Sequence, residues 1–383
     1  MVLVKRKIHD LIKERFFKKK AIILVGPRQV GKTTLFKQII EENHLSEILF
    51  LNCDEPETLR MLENVSSTEL KNLIGTKKIV LIDEAQRVEN IGITLKLITD
   101  NISHIQLVVT GSSAFDLRNR LNEPLTGRKF EYHLYPFSTA ELMEATSILD
   151  ETRLLEQRMI YGMYPDVVNN PTDAQRTLYE LNNSYLYKDI LMYQDIRNPD
   201  LLSKLLTALS LQLGSEVSYN ELGNTIGAKS ETIERYIELL EKSFIIFRQK
   251  SLSRNMRNEL KKSRKIYFYD NGVRNALIQN FKSLDLRTDV GALWENFMVG
   301  ERKKYLEYHE IYSNTYFWRT HAQQEIDYIE ERNGVLYAFE FKWNEKKKAK
   351  IPNSFAEAYP QHEFCCINRS NYLNFILAGN DSC

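Results

Sequence analysis

The feature that most constrains the fold is a glycine-rich loop that lies between an apolar run and an amphipathic segment. Residues 26–33 read GPRQVGKT, which matches the spacing G-x-x-x-x-G-K-[ST], and the apolar run AIILV precedes them. In a strand, loop and helix of this kind, successive backbone N–H groups bind phosphate at the helix N-terminus. The sequence therefore predicts a nucleoside triphosphate site. The predicted binding residues are Gly26, Pro27, Arg28, Gln29, Val30, Gly31, Lys32, Thr33 and Thr34.

Four residues of this loop are each expected to contribute to phosphate or Mg²⁺ binding in a different way. Gly26 and Gly31 allow positive φ values and a close approach of the backbone to phosphate. Lys32 can reach the β- and γ-phosphates, and the Thr33 hydroxyl can ligate Mg²⁺. We therefore expect ATP and Mg²⁺ as cofactors, with Lys32 in a catalytic role.

A second apolar run, residues 79–82, ends in the carboxylates of Asp83 and Glu84. A continuous apolar run is typical of a strand buried on both faces of a parallel sheet. At the carboxyl end of such a strand, Asp83 is predicted to lie beside Mg²⁺, and Glu84 to orient and activate the attacking water. The alternative is an ordinary strand that ends in a solvated acidic turn.

A third apolar run, residues 105–109, ends in Thr110 and Ser112, which are candidates to sense the γ-phosphate. Basic residues follow it, and an arginine can stabilise charge on the transferring phosphoryl group. Arg128 is the first choice for this catalytic role, and an ordinary surface arginine is the alternative. The other two candidates are Arg118 and Arg120.

Length, composition and charge limit the number of domains and the kinds of partner that the chain can have. The chain has 383 residues, of which 43% are hydrophobic and 27% charged, with a formal net charge of +1. This length predicts two or three domains, and the near-neutral charge excludes a global field that would attract nucleic acid. No apolar run reaches the ~18 residues of a membrane helix, so we expect no membrane partner and a cytoplasmic location.

The pattern along the chain predicts four regions within an α/β fold. Residues 1–140 alternate strand and helix signals, as expected of a parallel-sheet ATPase core. Residues 141–200 are helical and predict a lid beside the nucleotide. Residues 201–272 follow the order helix, turn, helix and two strands, which is that of a winged helix. Residues 273–383 form the last region.

The predicted winged helix carries charges of opposite sign on two of its parts. Its third helix is acidic, which DNA phosphates would repel. The predicted wing, residues 248–265, is basic and is the candidate DNA contact; an intramolecular packing role is the alternative. The charged residues are Glu231, Glu234, Glu238 and Glu241 on the helix, and Arg248, Lys250, Arg254, Arg257, Lys261, Lys262, Arg264 and Lys265 on the wing.

The last region predicts a β-hairpin around an Asn-Gly turn at residues 333–334, because this dipeptide favours a two-residue type I′ turn. The turn sets Asp327 opposite Glu340 and Glu325 opposite Lys342, all on one face. Two opposed carboxylates repel each other, and a divalent cation between them would remove that cost.

These residues predict a metal-dependent nuclease site. Asp327 and Glu340 would bind Mg²⁺, Glu295 on an upstream helix would add a carboxylate, and Lys342 would act on the attacking water. The arrangement D…E-x-K is that of metal-dependent nucleases of the restriction-endonuclease type. A solvated polar hairpin face is the alternative.

The whole chain resembles a prokaryotic family of AAA+-like P-loop ATPases with a winged helix and a C-terminal PD-(D/E)XK nuclease-like domain. One departure is the segment 321–324, HAQQ, where a small or glycine-containing segment is usual. The resemblance rests on residues 26–33, 81–86, 110–113, 125–128, 162–165, 294–296, 325–327 and 340–342.

This resemblance implies a fold in which a P-loop ATPase sheet with a helical lid precedes a winged helix and a restriction-endonuclease-like α/β domain. It implies a cytosolic ATPase, with DNA and further copies of the chain as candidate partners. The leading hypothesis is an ATPase that acts on DNA through an attached Mg²⁺-dependent nuclease. The alternatives are a nucleotide-dependent switch or scaffold whose nuclease-like domain makes protein contacts only, and a regulator built on the winged helix.

Overall fold

The computed structural model describes residues 4–43, 46–112, 125–183, 198–253, 264–320 and 322–377. The chain divides into two compact units. The N-terminal unit contains residues 4–136 and 242–244, and the C-terminal unit contains residues 137–241 and 245–383.

The N-terminal unit contains a parallel five-stranded sheet of order β2-β3-β4-β1-β5, which confirms the predicted α/β class. All five residues of the central strand β1 are buried, as its unbroken apolar sequence requires. Parallel pairing brings the carboxyl ends of β1, β3 and β4 to one edge. The strands are β1 (Ala21–Val25), β2 (Ile48–Asn52), β3 (Ile79–Asp83), β4 (Gln106–Gly111) and β5 (Lys129–His133).

Helices connect several strands of this sheet, and local sequence explains where some of them begin. Gly31 adopts a left-handed conformation at the start of the second helix, and a capping box between Ser66 and Glu69 begins the fourth. The helices are α1 (Ile8–Glu14), α2 (Lys32–Glu42), α3 (Pro56–Leu62), α4 (Ser67–Ile74) and α5 (Ile91–Asn101), with a 3₁₀ turn at Ala85–Arg87.

The C-terminal unit begins with five short helices where the sequence predicts a lid on the nucleotide site. The structure groups these helices with the C-terminal unit instead, and α8 and α10 pack against the later helix α14 (Asn271–Leu277). The five are α6 (Thr139–Ala145), α7 (Ile148–Arg153), α8 (Leu155–Tyr161), α9 (Pro165–Asn169) and α10 (Ala174–Leu181).

The next elements follow the predicted order of helix, turn, helix and two strands. They are α11 (Pro199–Leu211), β6 (Glu216–Val217), α12 (Tyr219–Ile226), α13 (Ser230–Lys242), β7 (Ile246–Ser251) and β8 (Arg264–Phe268). The remaining elements are α14, α15 (Val290–Tyr308), β9 (Asn314–Arg319), β10 (Glu325–Arg332), β11 (Val335–Phe341), α16 (Asn353–Ala358), β12 (His362–Ile367) and α17 (Tyr372–Leu377), with 3₁₀ turns at Pro171–Asp173 and Leu284–Leu286.

One mixed sheet of order β12-β11-β10-β9-β7-β8-β6 joins the seven strands described in the C-terminal unit. The predicted boundary at residue 272 lies within α14, inside this compact unit. The link is the parallel pairing of β7 with β9, at Lys250 with Tyr316 and at Ser251 with Phe317.

The predicted hairpin is present between β10 and β11. Asn333 and Gly334 both have positive φ, as a type I′ turn requires. Tyr328 pairs with Phe339, so the next positions outward are Asp327 and Glu340, as predicted. A register shift between Ile326 and Ile329 interrupts the pairing of β10 with β9. Such an irregularity re-aims side chains, and no sequence signal indicated it.

No helix in the described ranges is long and apolar enough to cross a membrane.

Candidate functional site

The glycine-rich loop leaves the carboxyl end of β1 and enters α2 at Lys32. Gly31 has φ +93°, a conformation that favours glycine. Gly26 is needed for a different reason, because a Cβ there would collide with the carbonyl oxygen of Leu134. The expectation of positive φ therefore holds for Gly31, whereas Gly26 allows a close backbone packing.

The Lys32 ammonium lies inside the loop and is buried. Its Nζ donates to the carbonyl oxygens of Gly26 and Pro27, both at 2.9 Å. A buried ammonium at the N-terminus of a helix gives the loop a concentrated positive charge where phosphate oxygens would bind.

Arg6 holds the same loop from outside and was missed in the sequence. Its guanidinium is buried and donates to the carbonyl oxygen of Val30 at 2.7 Å and to that of Tyr135 at 2.5 Å. This arginine fixes the loop to the segment that follows β5. A basic residue near the N-terminus gave no sequence signal for this contact.

Three polar side chains meet at the carboxyl edge of the sheet. The Thr33 hydroxyl donates to Oδ2 of Asp83 at 2.8 Å, and the Thr110 hydroxyl donates to Oδ1 of the same carboxylate. Thr110 also accepts the backbone N–H of Glu84 at 3.3 Å. Loop, β3 and β4 thus converge on the Asp83 carboxylate.

Glu84 follows Asp83 in a left-handed conformation with φ +52°, which is uncommon for a residue with a side chain. Nε2 of Gln86 donates to Oε2 of Glu84 at 2.5 Å and to the Ser112 hydroxyl at 2.8 Å. Gln86 therefore connects the predicted general base to the end of β4. Gln86 lay within a recognised segment, but its spacing from Glu84 did not indicate this role.

The donor set at this edge fits Mg²⁺. The Thr33 hydroxyl and the Asp83 carboxylate are hard oxygen donors in contact with each other, beside a loop suited to phosphate. Mg²⁺ prefers a few protein oxygens together with water and phosphate oxygens, so two protein donors are sufficient.

Arg128 is misplaced for a catalytic role in its own chain's site. It precedes β5, whose first residue pairs with Ala21, so it lies at the edge of the sheet opposite the loop. The five residues of β1, about 16 Å of strand, separate the two edges. Its Nε donates to Asp100 at 2.6 Å. Arg118 and Arg120 lie outside the described residues.

The second predicted site has a lysine at its centre. Lys265 on β8 is buried, and its Nζ lies 2.8 Å from Oε1 of Glu295, 2.5 Å from Oε1 of Glu325 and 3.7 Å from Oδ1 of Asp327. The Tyr267 hydroxyl donates to the same Oε1 of Glu295 at 2.6 Å. We call Lys265, Glu295, Glu325 and Asp327 the lysine-centred cluster.

Burial and mutual charge shift the pKa values in this cluster. Burial lowers the pKa of Lys265, but the charges of Glu295, Asp327 and Glu325 outweigh this and raise it above its ordinary value. Burial, assisted by the charge of Asp327, raises the pKa of Glu295 to about 7 although Lys265 and Tyr267 oppose the change. Burial also raises the pKa of Asp327.

The hairpin face does not form the predicted metal site. Oδ2 of Asp327 accepts the backbone N–H of Phe341 at 2.9 Å, and Oε1 of Glu340 accepts from Nζ of Lys342 at 2.6 Å. Within the described parts of the chain, no three His, Cys, Asp or Glu side chains are grouped so as to hold a metal ion. The register was right, but the assignment of Glu295, Asp327 and Glu340 as metal ligands finds no support here, because ammonium groups neutralise them.

The predicted basic wing is only partly described. Lys265 is buried in the lysine-centred cluster, so its inclusion in a DNA-facing surface is wrong. Arg248 binds Glu241 through Nη2 at 2.5 Å, and Arg264 lies 3.8 Å from Glu234 on the same acidic helix. Lys250 is exposed. The rest of the predicted wing, Arg254, Arg257, Lys261 and Lys262, lies outside the described residues.

Comparison with protein families agrees with this N-terminal geometry. A model described as "AAA domain" matches residues 18–143. Two models described as "Domain of unknown function", DUF8612 and DUF4143, match residues 152–284 and 290–375. The chain therefore contains an ATPase domain of the AAA type.

Several relatives span most of the chain. An uncharacterized protein of Mycobacterium tuberculosis is 25% identical over 351 residues, which cover 89% of this chain and 74% of that protein. An uncharacterized protein of Methanocaldococcus jannaschii is 26% identical over 319 residues, which cover 71% and 67%.

Two solved structures share only a distant likeness. The Walker-type ATPase of Pyrococcus abyssi has a TM-score of 0.47 and 17% identity, with 72% of this chain and 94% of that chain covered. Cdc6p of Pyrobaculum aerophilum has a TM-score of 0.30 and 13% identity, with 71% and 92% covered.

Proposed function

We propose that the chain is a Mg²⁺-dependent ATPase that hydrolyses ATP at the glycine-rich loop. The observation that carries the proposal is the convergence of two chain segments 50 residues apart, one with Lys32 and Thr33 and the other with Asp83 and Glu84, at one edge of the sheet. A chance glycine-rich turn would not bring these groups together. The match of residues 18–143 to an AAA domain supports the same conclusion.

The residues divide the reaction between them. The backbone N–H groups of the loop and the Lys32 ammonium bind the β- and γ-phosphates. Thr33 and Asp83 would hold Mg²⁺, which neutralises charge on the phosphates when bound. Glu84 accepts a proton from water as the water oxygen bonds to the γ-phosphorus and the bond to the ADP oxygen breaks. Gln86 orients the Glu84 carboxylate.

A matched pair of lysines on α2 tests this proposal. Lys32 is buried in the loop, whereas Lys37 is exposed on the same helix. We expect wild-type protein and Lys37→Met to hydrolyse ATP only with Mg²⁺, and Lys32→Met to bind ATP weakly and to lack turnover. An absence of Mg²⁺-dependent turnover in the folded wild type, or turnover undiminished in Lys32→Met, would refute the proposal.

We further propose that the surface around β7 and β8 contacts DNA. The observation that favours it is that Arg248 and Arg264 pair with the acidic helix α13, which lowers its repulsion of phosphate, while Lys250 on the same hairpin stays exposed. We do not propose metal-dependent cleavage of DNA, because Lys265 neutralises the carboxylates that a metal ion would need.

The DNA contact has its own test. Lys250→Glu should weaken binding to duplex DNA and reduce the slope of log affinity against log salt by about one or more, since each neutralised phosphate contributes to that slope. Lys282→Glu, an exposed lysine elsewhere in the C-terminal unit, is the control. If the wild type shows no salt-dependent binding with ATP or ADP, the DNA proposal fails while the ATPase proposal stands.

A further inference from the structure

The lysine-centred cluster brings four ionisable groups together in the C-terminal unit. Glu295 comes from α15, Glu325 and Asp327 from β10, and Lys265 from β8, so three separate elements contribute. Only 1% of the Lys265 side chain is exposed. An ammonium buried to this degree needs counter-charges, because desolvation of an unpaired charge is costly.

We propose that Lys265 is the permanent cation of this cluster and takes the place of a divalent metal ion. The carboxylates of the cluster then stabilise Lys265 instead of binding Mg²⁺. This inference is independent of ATP hydrolysis, since the cluster lies within the C-terminal unit.

The number of carboxylates and their distances from Nζ favour an ammonium over a metal ion. An ammonium has three N–H donors, and three carboxylates surround the Nζ of Lys265 within 3.7 Å. Mg²⁺ would need oxygens that converge at about 2.0–2.1 Å in octahedral geometry. Here Oε1 of Glu295 accepts both the Lys265 ammonium at 2.8 Å and the Tyr267 hydroxyl at 2.6 Å, so the lysine already lies where the carboxylates converge.

The balance of charge leads to the same inference. A second cation inside the cluster would lie within a few ångströms of the buried ammonium and would be repelled by it. Glu340, the remaining predicted ligand, is paired with Lys342 at 2.6 Å. Both lysines would have to be displaced before a divalent ion met four free carboxylates.

The proposal predicts that removal of the lysine creates a metal site. Lys265→Met keeps most of the side-chain volume but leaves three buried carboxylates without a cation. A divalent ion that binds them would stabilise the native state by mass action. We expect Lys265→Met to have a lowered Tm that Mn²⁺ restores, and to bind Mn²⁺ saturably, whereas Mn²⁺ leaves the Tm of the parent unchanged.

The experiment uses the full chain without nucleotide. Every variant also carries Asp83→Asn, so that the nucleotide site loses the carboxylate that would bind metal. Lys304→Met is the matched control, because Lys304 is also buried but pairs with the single carboxylate of Glu301 at 2.7 Å. It should be destabilised without any response to Mn²⁺. Addition of Asp327→Asn to Lys265→Met should abolish the gained response.

Measurements on chains that retain Lys265 decide the matter even if Lys265→Met does not fold. Saturable Mn²⁺ binding with Lys265 intact, lost in Asp327→Asn, would overturn the proposal. A folded Lys265→Met protein that gains no affinity for Mn²⁺ would overturn it as well.

Discussion

Hydrogen bonds from neighbouring side chains orient the two carboxylates at the edge of the N-terminal sheet. Asp83 receives hydroxyl groups from Thr33 and Thr110, and Glu84 is held by Gln86. The position of Asp83 and Glu84 at the end of a buried strand near the glycine-rich loop could be predicted, because they follow an unbroken apolar run. Gln86 could not, because its contact depends on the left-handed turn at Glu84.

Lys265 shows that a run of basic residues in the sequence does not by itself indicate a basic surface. It lies among basic residues that together predict a DNA-facing wing. In the structure its side chain is on the buried side of β8, where Glu295 and Glu325 surround it. Sequence alone could not indicate this, since these carboxylates lie 30 and 60 residues further along the chain.

A carboxylate next to the start of α15 provides a pH-dependent test of stability. Burial raises the pKa of Asp289, but hydrogen bonds from Arg287 and Arg274 outweigh this and lower it to about 2. Because the pKa is depressed in the folded state, the stabilisation is present above the unfolded value of 3.8 and is lost as the pH falls toward 2. It corresponds to about 2 kcal/mol at neutral pH.

We expect Asp289→Asn to lower the free energy of unfolding by about 2 kcal/mol at neutral pH, and the difference from wild type to shrink below about pH 4. Urea titrations across this range measure it. Asp285→Asn, at an exposed position four residues earlier, should have little effect. A deficit that stays constant down to about pH 2 would show that the carboxylate charge is not the cause.

At the level of elements, local chemistry explains what could be predicted. The hairpin of β10 and β11 was predicted with its register, because an Asn-Gly turn fixes pairing locally. The irregularity between β10 and β9 was not, because it lies within the strands, between Ile326 and Ile329, where no turn residue signals it. The strand, loop and helix around the phosphate site were equally local and were confirmed.

Alanine substitutions at Gly26 and Gly291 distinguish the effect of steric crowding from that of helix propensity. Gly26→Ala would press a Cβ onto the backbone oxygen of Leu134, which cannot rotate away. We expect a loss of ~1–3 kcal/mol in unfolding free energy and weakened ATP binding. Gly291→Ala, in α15 with no atom within 4 Å of the added Cβ, should be neutral or stabilising by ~0.5–1 kcal/mol. Chemical denaturation and nucleotide titration test both, and normal ATP binding by Gly26→Ala would contradict this account of the loop.

Across the whole molecule, the pairing of strands far apart in the chain is the feature that the sequence could not predict. The sequence suggested four regions because each has its own local pattern. The structure instead joins β6 to β12 in one sheet, through the short pairing of β7 with β9. Contacts between strands more than 60 residues apart leave no periodic signal, so this pairing could not be predicted, whereas the parallel N-terminal sheet could.

The position of Arg128 makes a prediction about assembly. Since it lies on the far edge of its own sheet, it could reach a transferring phosphoryl group only in a neighbouring copy of the chain. Arg128→Ala should then reduce turnover by ~10³–10⁵-fold without loss of ATP binding. A mixture of Arg128→Ala and Glu84→Gln chains should recover activity, because one supplies Glu84 and the other Arg128. Full activity in Arg128→Ala would exclude the role.

The most direct test of the account is a comparison of ATP binding and ATP turnover in Glu84→Gln. This change keeps the size of the side chain but removes the proton acceptor. We predict unchanged ATP affinity and a loss of ~10²–10⁴-fold in turnover, while Glu89→Gln, at an exposed position five residues later, behaves as wild type. Turnover retained in Glu84→Gln would contradict the catalytic site described here.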